Sequence, residues 1–402
     1  MINLSLNKKV VIFGFIFTFF SSFGQSFFLG LFNAPIRNEL TITHGQFGSI
    51  FALATIISSL TLIWIGKKID EHSLIRYSFF VILLLSFSSF YFSNINNIYL
   101  LFFGIFLMRL SGQGLMGHTA TTTVSRFFNK TRGKALSFTW LGLSSSEFIL
   151  PVLITFLLTI LSWEKVWVII SIFTILFLPI VVINTIKTIN FDSREEGENN
   201  KFDFKIKHWK RIEVIKDYRF YIVASNLLAM PWIATGIFVY QSFISESKLW
   251  DVFAIPKAFM AYSITSIITI FVTGILIDKF TSRKIIPYMN IPLICAMIVL
   301  YLGSGEVYSF ALLGFLGISN GLSNLLGSST WAEIYGVKYI GSIKALTTSL
   351  MVFSTAFGTA LFGFLIDREF SIETIALICI GYIILMLGFL IIFGKKIEPT
   401  KI

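Results

Sequence analysis

Long apolar runs alternate with short polar connections along almost the whole chain. The runs lie at approximately residues 10–32, 46–66, 74–92, 98–125, 134–160, 165–186, 219–243, 254–276, 285–302, 308–334, 341–366 and 372–394. Most of them have about 20 residues or more, which is the length that an α-helix needs to cross the hydrocarbon core of a bilayer. The pattern therefore predicts an all-α integral membrane protein with twelve transmembrane helices.

The composition agrees with this pattern and argues against a soluble protein. Apolar residues make up 55% of the chain and charged residues 13%, whereas an average soluble domain has about 25% charged residues. A soluble core cannot hide this much apolar surface, but lipid solvates it. Lys8 and Lys9 precede a first run that is too long for the apolar part of a signal peptide, so we expect a retained helix.

One long polar connection divides the chain into two halves of six runs each. The predicted organisation is an N-terminal six-helix bundle at 1–186, a cytoplasmic central loop at 187–218 and a C-terminal six-helix bundle at 219–402. Part of 203–216 has the character of an amphipathic surface helix.

Lysine and arginine are distributed unequally between the two sides of the predicted membrane. With the N-terminus in the cytoplasm, 26 of the 32 basic residues fall in cytoplasmic segments and 5 in outside loops. This bias predicts that both termini are cytoplasmic and that the protein lies in the cytoplasmic membrane. It also explains the net charge of +11 without a nucleic-acid partner. We expect the cytoplasmic face to attract anionic lipid head groups.

The two halves share short sequences at equivalent positions. The phrase Gly-x-x-Ile-Asp occurs at 66–70, 274–278 and 363–367, and Asp70 and Asp278 are 208 residues apart. Such an aspartate at the membrane surface can cap a neighbouring helix or pair with a nearby base. We interpret these aspartates as parts of latches that hold one conformation and release it in another. Ordinary interfacial charge is the alternative.

A further acid, Glu333, ends the tenth predicted helix. We expect it to form a gating or structural ion pair with Lys338 or Lys344, which follow it closely in the sequence.

These motifs resemble those of the major facilitator superfamily of secondary transporters, over nearly the whole chain. The segment from Gly66 to Arg76 is similar to that family's loop between helices two and three, in which Asp70 matches. Glu71 replaces the usual arginine and Ser73 the usual glycine, so the resemblance implies a weakened N-terminal latch.

Three further segments carry the resemblance. Asp278, Lys279 and Arg283 keep the acid–base order of the second copy of the loop motif, Arg109 matches the family's fourth-helix arginine, and Arg132 lies in the loop between helices four and five. The resemblance implies two six-helix bundles around a central cavity, with a solute bound near the bilayer midplane and exposed alternately to each side.

Two ionisable residues lie deep inside predicted spans, where charge is costly and therefore calls for a partner or a function. At 1.5 Å per residue, Arg109 lies about 16 Å from the outer end of helix four and Glu147 about 20 Å from that of helix five. We expect a coupling pair, in which Arg109 holds an anion or Glu147, and Glu147 takes up a proton. A structural salt bridge is the alternative.

Other polar residues in the spans are candidates to line a solute pathway. They are Gln25, Asn226, Asn320 and Asn324, and hydrogen bonding between helices is the alternative for each. His118 is half a helical turn from Arg109, so we interpret it as a packed or interfacial residue, with a proton relay as the alternative.

The functional hypothesis is a monomeric secondary active transporter of a small solute, such as a monocarboxylate or another organic anion, coupled to H⁺ or Na⁺. Multidrug or lipophile efflux is the alternative, although helix five lacks the glycine-rich motif typical of drug–proton antiporters. An enzyme or a non-transporting receptor fits less well, because the sequence shows no catalytic set, metal-ligand spacing, cofactor motif or P-loop.

Overall fold

Twelve membrane-spanning segments are present when one bent helix pair is counted as a single span. The computed structural model describes residues 4–128, 132–187, 207–336, 338–393, 397 and 398. The spans are α1 (Lys8–Gly24 with Ser26–Leu40), α2 (His44–Asp70), α3 (Leu74–Phe92), α4 (Ile98–Phe127), α5 (Gly133–Ile160), α6 (Trp163–Ile186), α7 (Tyr218–Val239), α8 (Ala254–Phe280), α9 (Ser282–Leu302), α10 (Val307–Tyr335), α11 (Ile340–Asp367) and α12 (Ile372–Phe393). The predicted all-α, twelve-helix architecture is confirmed.

The outward-facing side chains of these helices are largely apolar. Ile63 and Trp64 on α2, Leu176 on α6 and Ile391 on α12 each expose more than half of their surface. A face of this kind is unfavourable in water and favourable against lipid tails, so the protein is a multi-pass membrane protein.

The chain forms two compact units, Met1–Glu198 and Asn199–Ile402, and each contains six of the spans. Residues 207–217, which we predicted as part of a separate central loop, pack on the second unit. The Trp209 ring contacts that of Tyr335 at 5.6 Å between centroids, and Val214 is fully buried. The predicted amphipathic segment contains one short helix, Arg211–Ile215.

The first span breaks at Gln25, which the apolar pattern did not predict. Its two segments meet at 44°. Gln25 is extended (φ −81°, ψ 153°), and its N–H bonds to the Ser22 carbonyl. The Phe28 N–H, which an unbroken helix would direct at the Gly24 carbonyl, bonds to the Gln25 carbonyl instead (3.2 Å). The break therefore removes a helical partner from Gly24.

In the first unit, α1 packs closely against α5. The Thr18 hydroxyl donates to the Thr139 carbonyl, and the hydroxyls of Ser22 and Ser146 are hydrogen-bonded. Gly142 lies between these contacts, with no side chain to separate its backbone from that of α1. Small residues of this kind allow two membrane helices to approach until their polar groups bond across the interface.

We predict that Gly142→Ala destabilises the protein, because the new methyl group would overlap the Phe15 carbonyl oxygen and the Thr18 hydroxyl. Overpacking of this type costs about 1–3 kcal/mol, which a lower midpoint of thermal unfolding in detergent would report. Gly381→Ala on α12 is the control, because a methyl group there meets no atom within 4 Å. Equal midpoints for the two variants would contradict the close α1–α5 contact.

Candidate functional site

The break in α1 is the point at which polar groups from three helices of the first unit meet. Arg109 of α4 donates through Nη1 to the Gly24 carbonyl at 3.1 Å and to the Ser26 hydroxyl at 3.2 Å. The guanidinium therefore replaces the helical N–H that the break took from Gly24. Each unsatisfied backbone group in a bilayer costs several kcal/mol, so this bond stabilises a break that lipid would otherwise disfavour.

The crossing of α1 and α4 depends on two glycines. A methyl group on Gly112 would lie 2.6 Å from the Gly24 nitrogen, and one on Gly24 would overlap the backbone of Met108 and Gln113. Residues 109–116 of α4 also form a π-helical segment. Local widening of this type is frequent at functional sites.

Arg109 is enclosed by protein but has no acidic partner. Only 2% of its surface is exposed, its guanidinium carbon lies 5.3 Å from the centre of the Phe51 ring, and its Nε has no hydrogen-bond partner. Among the residues that the structure describes, no carboxylate lies within 4.0 Å of it. Within the described residues, its positive charge is therefore met by the Gly24 carbonyl, the Ser26 hydroxyl and the face of the Phe51 ring.

Glu147 is the corresponding buried acid. It is 8% exposed and follows Ser146, whose hydroxyl is bonded to Ser22 three residues before the break. In the described part of the chain, Glu147 forms neither an ion pair nor a side-chain hydrogen bond. The direct ion pair between Arg109 and Glu147 that the sequence left open is therefore not formed.

Two glutamines lie at the same crossing. Gln25 is the break residue itself, and Gln113 is one helical turn after Arg109. Both side chains are half-buried, and neither forms a side-chain hydrogen bond within the described residues. We predicted Gln25 as a pathway residue but overlooked Gln113, for which the four-residue spacing from Arg109 was the available signal.

The three asparagines predicted in the second unit have different environments. Asn226 is fully buried and bonds to the Met386 carbonyl at 2.9 Å, and it receives a bond from Asn290. It joins α7, α9 and α12, which is the interhelical arrangement that we gave as the alternative. Asn320 bonds to Ser266 on α8 at 2.9 Å, while Asn324, in the middle of α10, is exposed.

Residues of α4 contact the first Gly-x-x-Ile-Asp segment, residues 66–70, at the end of α2. His118 Nε2 lies 3.1 Å from the Gly66 carbonyl, and Arg126 pairs with Asp70 and donates to the Ile69 carbonyl at 3.4 Å. His118 thus takes the packed position that we favoured over a relay. Arg126 was not identified from the sequence as the partner of Asp70, because the two residues belong to different helices.

Glu71, which stands where the family motif usually has an arginine, pairs with a residue of its own segment. Glu71 forms an ion pair with Lys68, and this bond holds the pKa of the Glu71 carboxyl below its usual range. Arg132 begins the helix Arg132–Ile160, and its side chain lies outside the described part of the chain.

The second unit has an ion pair at the equivalent place, and we call this pair and the Asp70–Arg126 pair the clamps of the two units. In the second unit the partner of Glu333 differs from the predicted one. Glu333 pairs with Arg283 (Nε to Oε2, 3.5 Å) and accepts the Ser282 N–H at 2.8 Å and the Arg283 N–H at 3.3 Å. The expected pairing with Lys338 or Lys344 was therefore wrong. The α8–α9 turn brings Arg283 closer to the end of α10 than the residues that follow Glu333 in sequence.

Neither Asp278 nor Lys279 forms an ion pair in the part of the chain that the structure describes. The matching phrases thus have unequal roles. In the first unit the end of α2 supplies the acid (Asp70) and α4 the base, whereas in the second unit the start of α9 supplies the base and α10 the acid (Glu333).

Comparison with known proteins agrees with the fold. The model of the Major Facilitator Superfamily matches residues 14–359, so the chain belongs to this superfamily. The protein is accordingly a multi-pass transporter of small solutes and not an enzyme. No curated protein sequence matches the chain.

Two kinds of solved structure are similar to it over nearly their whole length. One is a bacterial homolog of the human lysosomal transporter Spinster in an inward-facing, occupied conformation, with a TM-score of 0.69 and 13% identity, covering 98% of each chain. The other is the nucleoside transporter NupG, with a TM-score of 0.70 and 14% identity, covering 97% of this chain and 99% of that one. At these identities the likeness concerns the fold alone.

We predict that Glu333→Gln lowers the thermal unfolding midpoint more than Asp278→Asn does. Glu333 accepts two backbone N–H bonds and an ion pair, and hydrogen bonds to a charged group contribute about 1.5–3 kcal/mol. Asp278 is exposed, so its substitution should change the free energy of unfolding by about 0.5 kcal/mol or less. A larger effect of Asp278→Asn would contradict the assignment of the clamp to Glu333.

Proposed function

We propose that the protein is a secondary active transporter that carries a small organic anion across the cytoplasmic membrane and is coupled to protons. The supporting observation is that Arg109 and Glu147, both buried in the first unit, lack a partner of opposite charge among the described residues. Intramembrane charges are costly and usually mark a transport pathway.

Arg109 supplies the attraction for an anion. Its fixed positive charge lies in a region of low dielectric constant, where a unit charge acts strongly over several ångströms. The Gly24 carbonyl and Ser26 hydroxyl orient the guanidinium but do not neutralise it. A negatively charged solute near the break in α1 therefore lowers the energy of this site more than a neutral solute of the same shape.

Glu147 supplies the coupling group. A single buried carboxyl without an ion pair is most stable when it is neutral, so it tends to bind a proton while it is enclosed and to lose it when water enters. The proton then cancels the charge of the solute, and the loaded protein carries less net charge through its closed state. Alternating access exposes the two bound species to each side in turn.

We predict that Glu147→Gln abolishes the stimulation of uptake by a proton gradient while exchange of the anion continues. Glutamine mimics the protonated side chain but cannot release a proton. The measurement is uptake of radiolabelled carboxylates into proteoliposomes with an acidic exterior, with equal pH on both sides, and with a Na⁺ gradient. The control is Glu246→Gln, because that carboxyl is exposed. Proton stimulation that survives in Glu147→Gln, or Na⁺ stimulation in its place, would contradict the coupling role.

We predict that Arg109→Gln removes the preference for anions, whereas Arg109→Lys keeps it. The readout is competition between a carboxylate and its neutral amide for uptake. The loss of a nearby unit charge should weaken carboxylate binding on the order of tenfold relative to the amide. An unchanged ratio in Arg109→Gln would show that the cation serves only the packing of α1.

A further inference from the structure

The two glutamines at the α1–α4 crossing are polar groups that the protein itself does not satisfy. Gln25 and Gln113 are half-buried within membrane spans, and neither amide is hydrogen-bonded to a described residue. Neither amide is fully enclosed by protein, so a ligand or water can reach it. A polar group left in an apolar environment without a hydrogen bond costs roughly 1–3 kcal/mol, and a hydrogen-bonding solute at these amides would remove that cost.

The two residues are also close along the backbone. A methyl group on Gly24 would overlap the Gln113 backbone nitrogen, so the backbones at Gly24 and Gln113 are in contact and Gln25 is the next residue of α1. Gln25 is half-buried, with an extended backbone. At the break, Gln25 therefore departs from the helical geometry of α1.

Arg109 binds the backbone and side-chain groups next to Gln25. Its Nη1 is engaged by Gly24 and Ser26, the residues on either side of Gln25. Because both contacts flank the break, the guanidinium fixes the backbone that carries the Gln25 amide. Arg109 therefore acts as a positioning residue whose charge adds an attraction for anions.

We propose that the side-chain amides of Gln25 and Gln113 bind the transported solute directly, and that this solute is a small carboxylate bearing a hydroxyl group. This inference rests on the proposed function. Each amide offers an NH₂ donor and a C=O acceptor. A carboxylate accepts from the NH₂ groups, but only a donor such as a hydroxyl satisfies the C=O groups.

An unsubstituted alkyl carboxylate leaves these C=O groups without a partner. A site built to bond a hydroxyl discriminates against an analogue that lacks it, because the buried polar group of the site is then left unpaired. For one hydrogen bond we expect a preference on the order of tenfold.

The test is competition for uptake into proteoliposomes between a short 2-hydroxycarboxylate and the same acid without the hydroxyl. Wild-type protein should favour the hydroxy acid by about tenfold. Gln25→Leu and Gln113→Leu should each bring the ratio towards one. The control is Gln46→Leu, because Gln46 is engaged in a capping box with Thr43 at the start of α2, and its ratio should match the wild type.

The outcomes separate the two proposals. If the wild-type protein takes up both acids equally, the amide site is overturned while anion transport stands. If it takes up neither acid, the proposed function fails and the amide site fails with it. The wild-type ratio does not depend on any variant folding. For each variant, a thermal unfolding midpoint close to that of wild type verifies the fold, and an unchanged ratio in a folded Gln25→Leu or Gln113→Leu protein would refute the role of that amide.

Discussion

The candidate site depends on a hydrogen bond between a side chain and a backbone carbonyl that a broken helix cannot satisfy. In the hydrocarbon core of a bilayer no water is present to hydrogen-bond with the backbone. An interruption in a spanning helix therefore persists only where other protein groups, or a water-filled pathway, replace the lost hydrogen bonds. Arg109 does this for Gly24, and the Gly24–Gly112 contact brings the two backbones close enough for it to do so. Gln25 is the residue at the break that this bond stabilises, and the Gln113 backbone lies against Gly24. Glu147 follows Ser146, which bonds to Ser22.

The clamps of the two units occupy equivalent places but have their acid and base exchanged. Asp70 pairs with Arg126 on α4, and Arg283 pairs with Glu333 on α10. Each pair joins the junction between the second and third helices of its unit to the end of the fourth helix. The Coulomb energy of a pair is the same when the two charges are exchanged, so the geometry constrains the place of the pair but not its polarity. This explains why matching Gly-x-x-Ile-Asp phrases do not imply matching partners.

The sequence predicted the spans well because their signal is length and hydropathy, which lipid enforces on each helix separately. The break at Gln25 escaped prediction because Gly-Gln-Ser is short and lies inside an apolar run. The partners of Glu333 and Asp70 were missed for a different reason, since both come from other helices and depend on how these pack. Arg109 and Glu147 were identified because charge inside a membrane span is costly. That the two do not form an ion pair could be seen only in the three-dimensional structure. Gln113 was overlooked because a single amide in a span carries little signal without its neighbours.

The same physics connects the fold to the proposed cycle. A helix bundle built for stability alone would have apolar residues at both positions, because even a buried ion pair seldom stabilises more than hydrophobic packing does and an unpaired buried charge is costly. Here the cation is stabilised by a carbonyl, a hydroxyl and the Phe51 ring, whereas burial disfavours the ionised form of Glu147. Two unpaired sites of opposite sign can each accept a mobile partner, an anion at one and a proton at the other. A preformed internal salt bridge would compete with both partners, so its absence favours a site that binds and releases them.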